Sequence, residues 1–314
     1  MKRVVLAVFS MLVAAHTSAQ TLGIGTAPQG TIGYNMGSAI AKALAEAEKI
    51  QSRVQPYSGS SAVFPLVNTG EMDLTVGNVL EAQEAANGEG PYAGRKQANL
   101  RIIAVIFPIH VSLFVKKDSP IRTIADLKGK RVTYGYTAQV TLKRVVDAIL
   151  ANGGIDSTYV RTALVPNVIR GADDFAEGKA DAGFFAIGAG KVTEVDKSVG
   201  GIRFLPLSDD ARAVERMRKI FHYAYVAEVK PSPAYAGVTA PTKLMAYDYL
   251  VLAGAHVKED VGYRVARTLH DHKAKLVESL RAFDAFDTSK MYKPMPAAFH
   301  SGALKYYKEI GLAK

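Results

Sequence analysis

Residues 25–31, Gly-Thr-Ala-Pro-Gln-Gly-Thr, are spaced almost as a phosphate-binding loop, with two glycines ahead of an apolar-periodic segment that reads as a helix. Such a loop needs a lysine directly after its second glycine, because that side chain brings positive charge onto the β- and γ-phosphates. Thr31 stands in that place. The dinucleotide pattern fails as well, since Gly23 and Gly25 are followed by Pro28 where the third glycine belongs. Nucleotide chemistry is set aside on these grounds. A loop ahead of a helix still offers free backbone N–H groups and a positive dipole end, which suit a carboxylate or another polar acceptor of modest size. The alternative is an ordinary helix cap by Thr31.

Three further loops carry the same chemistry. Ser58–Ser61, "SGSS", is flexible, hydroxyl-bearing and precedes a helix; Tyr134–Thr141, "YGYTAQVT", precedes another, and Val165–Asn167, "VPN", a third. The candidate binding residues are Thr26, Gln29, Gly30, Thr31 and Tyr34 at the first helix start, then Ser58, Ser60 and Ser61. Asn78 follows at the end of a predicted strand, and Tyr136, Thr137, Gln139 and Thr141 come from the third loop. Phe184 and Phe185 join them: strand alternation sends one ring into a cleft and one into the core, unless both are core.

No Lys, Arg, Asp, Glu or His occurs in 26–31, 58–61 or 134–141. Neutral hydroxyls, amides and rings suit reversible binding and not proton transfer or nucleophilic attack. There is no G-x-S-x-G, no H-E-x-x-H and no calcium loop. His270 and His272 diverge on a helix and cannot share a metal, while His110 is a structural residue or a cleft lining. No catalytic residue, metal or cofactor is expected.

These loops need elements to hold them, and the chain alternates strand and helix as an α/β protein does. Strands are predicted over Thr21–Gly25, Arg53–Pro56, Asp73–Gly77, Arg101–Phe107, Val111–Lys116, Arg131–Gly135, Ala182–Ala186, Phe204–Leu207 and Tyr249–Gly254. Helices are predicted over Gly33–Glu48, Ser61–Asn68, Val140–Asn152, Asn167–Glu177, Asp209–Ile220 and from Lys258 onward. The segments beginning at Arg53 and at Arg161 echo one another: both read strand, loop, short helix, Gly-x-x-Asp, strand. Gly70/Asp73 and Gly178/Asp181 lie the same 108 residues apart. With the strand–loop–helix unit before each, this gives two similar lobes and a cleft between loops at the carboxyl ends of their strands. Pro108 argues against one continuous strand over 102–115, so two strands with a crossover are expected there, and a return near Phe221–Val229. Lobe I is expected over 20–107 and 227–314, lobe II over 108–226.

Lys2 and Arg3, an apolar stretch Val4–Ala15 and Thr17-Ser18-Ala19 have the order of a secretory signal peptide over 1–19. Twelve residues are too few to span a bilayer, which takes about 20. Cleavage would leave a chain beginning at Gln20 with formal charge +8, the whole sequence carrying +10. The basic residues are scattered and interleaved with Asp118 and Asp126, so a solvated basic surface is expected and nucleic acid is not. With no cysteine, disulfides, thiol catalysis and a lipid anchor through cysteine are excluded.

Taken together, "IGTAPQGTIGYNMGSAIAKAL", "SGSSAVFPLVNTGEMDL", "DSPIRTIADLKGKRV", "ADDFAEGKADAGFFAIGA" and "FHSGALKYYKEIGL" resemble, in order, the TAXI family of extracytoplasmic solute receptors associated with tripartite (TRAP) transporters. The resemblance runs from about Leu22 to Leu312. It implies a two-lobed type II periplasmic-binding fold, a monomer, that closes on a small organic solute such as an amino acid or carboxylate. The closed receptor then docks on TRAP membrane subunits. The chain departs from the family where a ligand would sit. "GYTAQVTL" replaces a glycine- and proline-rich loop, keeping Gly135 and Thr141, and Asn78-Val79-Leu80 replaces a Gln-x-Asp pattern. Two other classes share the fold: a receptor reporting to a signalling partner, and an enzyme, which would need a nucleophile or acid/base pair that the loops lack.

Overall fold

The computed structural model describes residues 21–295 and 297–314, so the expected signal peptide lies outside the described residues. The chain opens with β1 (Leu22–Thr26), α1 (Ile32–Glu48), β2 (Ser52–Pro56), α2 (Ser60–Thr69), β3 (Leu74–Asn78), α3 (Val79–Asn87) and the long strand β4 (Leu100–Lys116). A second run repeats the order with β5 (Arg131–Gly135), α4 (Thr141–Asn152), β6 (Arg161–Val165), α5 (Val168–Ala176) and β7 (Gly183–Ala186). Then come α6 (Gly190–Ser198), β8 (Ile202–Phe204), α7 (Ala211–Ile220), β9 (Tyr225–Val229), β10 (Thr242–Gly254), α8 (Glu259–Asp271), α9 (Lys273–Ser279) and α10 (Ser301–Glu309). None of the described helices is long and apolar enough to cross a membrane.

Local chemistry explains the elements that matter for the site. α1 buries Ile32, Met36, Ile40, Ala43 and Leu44, one stripe at helical spacing. Thr31 caps it, its hydroxyl accepting from the Tyr34 N–H at 3.2 Å. Asn78 caps α3 and Asn167 caps α5 in the same way.

The internal echo is realised as repeated geometry. The Asp73 carboxylate accepts from the Gly23 N–H at 2.7 Å, and Asp181 accepts from the Arg131 N–H at 2.8 Å. Each aspartate also donates its own N–H back to the carbonyl of that residue. Gly70 (φ 89°) and Gly178 (φ 77°) turn the preceding helices in the left-handed region. β1 pairs in parallel with β2 and β3, and β5 pairs in parallel with β6 and reaches β7 through a Val132–Ala182 bridge.

Two strands run through both halves. The hydrogen-bonded order is β2-β1-β3-β10-β4-β7, with β8 on β4 and β9 on β10. β10 pairs with β9 through Thr242–Ala246 and with β3 through Tyr249–Ala253. β4 pairs with β7 and β8 only from Val111 onward. This corrects two expectations. Pro108 does not divide β4: it sits opposite Asp248, where Ile106 and Phe107 together face Tyr249 in a β-bulge, a place that tolerates a missing N–H. The return is carried by β10, which begins seven residues before the predicted Tyr249, and not by Phe221–Val229. The strand predicted over Phe204–Leu207 ends at Phe204.

Candidate functional site

Loops from both runs converge on one small cavity of about 60 Å³. The start of α1 contributes Thr31, Ile32 and Gly33, the start of α2 contributes Ser60, and the end of β3 contributes Asn78. From the two long strands come Ile109, Val111, Tyr247 and Tyr249. The second run adds Gln139, Leu142, Val168, Phe184, Phe185 and Ala186. The wall is therefore apolar and aromatic with a few polar tips, and no Lys, Arg, His, Asp or Glu lines it among the described residues.

Of the sequence candidates, Thr31, Ser60, Asn78, Gln139, Phe184 and Phe185 meet at the cavity. Gln139 accepts from the Val168 N–H through its side-chain oxygen at 2.8 Å, which fixes the loop. Thr31 is committed to the helix cap and to the Pro28 carbonyl at 2.7 Å.

The others stand elsewhere. Thr26 is buried in β1 and takes part in its contacts with the segment 55–57. Tyr136 is no wall: its ring is buried behind Phe184, with centroids 5.9 Å apart, and its hydroxyl bonds to Thr133. Burial pushes that phenol up. Its φ of 49° is unusual for a bulky side chain and marks a tightly held turn. Gln29, Ser58 and Thr137 are exposed, and the side-chain amide of Gln29 bonds to the Tyr34 hydroxyl. Gly30 (φ 85°) lies against the second run, where Lys191 donates its N–H to the Gly30 carbonyl at 3.3 Å. His110, between Ile109 and Val111, lines a separate hollow with Tyr235; burial depresses its pKa.

Ser61 and Thr141 lead to two residues that the loops did not announce. Glu81, 1% exposed, accepts from the hydroxyls of Ser60, Ser61 (2.8 Å) and Tyr92 (3.0 Å). Burial pushes its carboxyl up, the hydroxyl bonds act against this, and the nearby Glu84 adds to it. Glu84, also 1% exposed, accepts from Thr141 at 2.6 Å and Arg144 at 2.5 Å, joining α3 to α4. A Cβ on Gly90 (φ 53°) would stand 2.8 Å from the Glu84 carboxyl carbon, so glycine there makes room for it. The "NVLE" run has the spacing of a helix cap with an acidic third residue, which signals the helix and not the burial of Glu81. Tyr247 and Tyr249 were legible as alternate residues of "MAYDYLV", had the strand been extended upstream.

The opposing loops touch closely. An ideal Cβ on Gly59 would lie 2.0 Å from the Ala138 carbonyl oxygen, so the "SGSS" turn approaches the second run at a distance that only glycine permits.

Comparison with known proteins agrees with this architecture. A profile described as the NMT1-like family matches residues 24–311. Among solved structures, PhnD1 from Prochlorococcus marinus (MIT 9301), in complex with methylphosphonate, is similar at 14% identity with TM-score 0.56, covering 93% of this chain and 96% of that one. An amino acid ABC transporter substrate-binding protein, AbpA from Streptococcus pneumoniae, bound to L-arginine, gives 13% identity and TM-score 0.52 over 87% and 97% of the two chains. The alkanesulfonate-binding protein SsuA from Xanthomonas axonopodis pv. citri, bound to MOPS, gives 14% and 0.50 over 94% of each. At such identities the likeness is one of fold: the two-lobed α/β fold of periplasmic binding proteins.

Proposed function

We propose that this chain, which belongs to the NMT1-like family, is a solute-binding receptor that captures a small organic molecule between its lobes. The observation that carries the reading is the cavity itself: loops of both runs line it, its wall is aromatic and free of charged side chains, and its polar tips are hydroxyls and amides. Binding without turnover is the chemistry this wall supports.

We assign lobe I to about 20–107 with 247–314 and lobe II to about 108–246, the change of lobe falling along β4 and along β10, whose first half pairs with β9 and whose second half pairs with β3. The candidate contacts are the cavity residues Thr31, Ser60, Asn78, Gln139, Phe184 and Phe185, with Tyr247 and Tyr249 added. The order of charged, apolar and small residues over 1–19 supports export to the periplasm. The collinear motifs quoted above support a TAXI-type receptor delivering its solute to TRAP membrane subunits.

The test is a thermal-shift screen of amino acids, keto acids, dicarboxylates and amines on purified protein, repeated with Phe184→Ala. A solute that raises the melting temperature of the wild type and not of the variant is expected. Absence of any response across the panel, or a response that Phe184→Ala leaves intact, overturns the receptor reading. Co-purification with TRAP membrane subunits is expected for the transport role; capture by a sensor protein alone would replace it.

A further inference from the structure

Glu81 is a buried carboxyl group whose hydrogen-bond partners are all neutral. Ser60, Ser61, Tyr92 and, at 3.5 Å, Asn78 surround it, and no Lys, Arg or His of the described residues makes an ion pair with it. Its neighbour one turn on shows the ordinary arrangement, for Glu84 is matched by Arg144. Buried charges in proteins are generally paired. Among the buried carboxyl groups of the described residues Glu81 stands without such a partner, and it lies directly beneath the cavity, since Ser60 and Asn78 both line it.

Hydrogen-bond direction then sets the polarity of that side. Ser60 gives its proton to Glu81 and so turns lone pairs toward the cavity. Asn78 is engaged by Glu81 at both ends, accepting from its N–H at 2.8 Å and donating to its carboxyl group. The seat at the start of α2, where free N–H groups and the dipole would draw an anionic solute, already faces the protein's own carboxyl group. Elsewhere the wall presents four aromatic rings, Phe184, Phe185, Tyr247 and Tyr249, whose faces attract cations. Tyr247 is 2% exposed, and its hydroxyl has no hydrogen-bond partner among the described residues, which leaves it for a solute.

We infer that the solute carries a positively charged nitrogen and no net negative charge, with Glu81 as its counter-charge one layer beneath Ser60. This rests on the receptor reading. The start of α1, with Ile32 and Gly33 in the wall, remains open to a carboxylate at the other end of a zwitterion. A simple carboxylate has no such match: its charge would meet lone pairs and a buried acid.

The experiment uses two pairs of probes that differ only in nitrogen against carbon: choline against 3,3-dimethylbutan-1-ol, and β-alanine against butanoate. Titration calorimetry and thermal shift on the full chain are expected to show the nitrogen compound bound about tenfold or more tightly in at least one pair. Glu81→Gln is expected to remove that preference while the protein still melts cooperatively; Ser60→Ala, which cuts the link to the cavity, serves as the second variant. Parity within both pairs, tighter binding of a carbon compound, or a preference that survives Glu81→Gln overturns the inference and leaves the receptor reading standing. Silence to these probes and to the whole solute panel overturns both.

Discussion

Glu81 and Glu84 share one helix face and one degree of burial, yet meet opposite surroundings, and this difference has measurable consequences. Glu84 has its arginine. Glu81, pushed up by burial, holds its proton in the folded chain to a higher pH than the ordinary value of 4.5. The folded state then binds more protons than the unfolded state above that pH, so this group's contribution to stability is complete below it and declines as pH rises toward the folded value. Glu81→Gln is therefore expected to melt higher than wild type near pH 7, with the gap closing toward about pH 4.5, followed by circular dichroism. A variant that melts lower throughout would mean that the surrounding hydroxyls hold the anion. Tyr247→Phe separates function from stability in another way. The hydroxyl has no protein partner to lose, so the melting temperature should stay within error, while affinity for a solute that uses it falls by roughly tenfold. None of this was legible in the binding loops, because the carboxylates come from the helix behind them and the tyrosines from a strand about 170 residues further along.

At the scale of elements, the reading succeeded where a pattern was local and repeated. Gly70/Asp73 and Gly178/Asp181 announced two equivalent turns, and each aspartate ties its strand to the first strand of its unit by the same pair of hydrogen bonds. The two are unequal in exposure, the side chain being 14% exposed at Asp73 and 33% at Asp181. Hydrogen bonds to a charged group contribute about 1.5–3 kcal/mol when shielded, and exposed ion pairs much less. Asp73→Ala should therefore lower unfolding free energy by about 2 kcal/mol and Asp181→Ala by roughly half as much, read from urea denaturation at constant slope. Equal losses would deny the role of burial. Pattern failed at Pro108 because the rule against proline in a strand assumes a regular ladder, and the bulge opposite Tyr249 removes that premise. It failed at Tyr136 because an aromatic residue in a polar loop is as readily the anchor that shapes the loop as its binding surface.

At the scale of the whole molecule, loops of the first run meet the second run through Glu84 with Thr141 and Arg144, Gly30 with Lys191, and Gly59 with Ala138, among other contacts of the described residues. On the receptor reading proposed above, these three contacts are those of the closed arrangement, and a receptor that binds in the closed state loses apparent affinity in proportion to the fraction of closed molecules. Thr141→Ala, which removes one bond to a buried carboxylate, should weaken every solute by the same factor, about ten- to a hundredfold, and leave their ranking unchanged. A change in ranking would place Thr141 in contact with the solute instead. Gly59 gives the sharper test. Its backbone, φ −178° and ψ 164°, is extended and open to any residue, so alanine there costs the fold of lobe I almost nothing. In the closed molecule, however, the added Cβ would stand 2.0 Å from the Ala138 carbonyl oxygen and 2.6 Å from the Gln139 side chain. The carbonyl is backbone held by Pro166 and cannot yield cheaply, since the Ala138 N–H bonds to the Pro166 carbonyl at 2.8 Å. Gly59→Ala should thus unfold like wild type in urea, lose solute-induced stabilisation, and show a larger radius of gyration by small-angle X-ray scattering that saturating solute fails to reduce. A variant that compacts on solute and binds it normally would show that closure does not bring these two loops together.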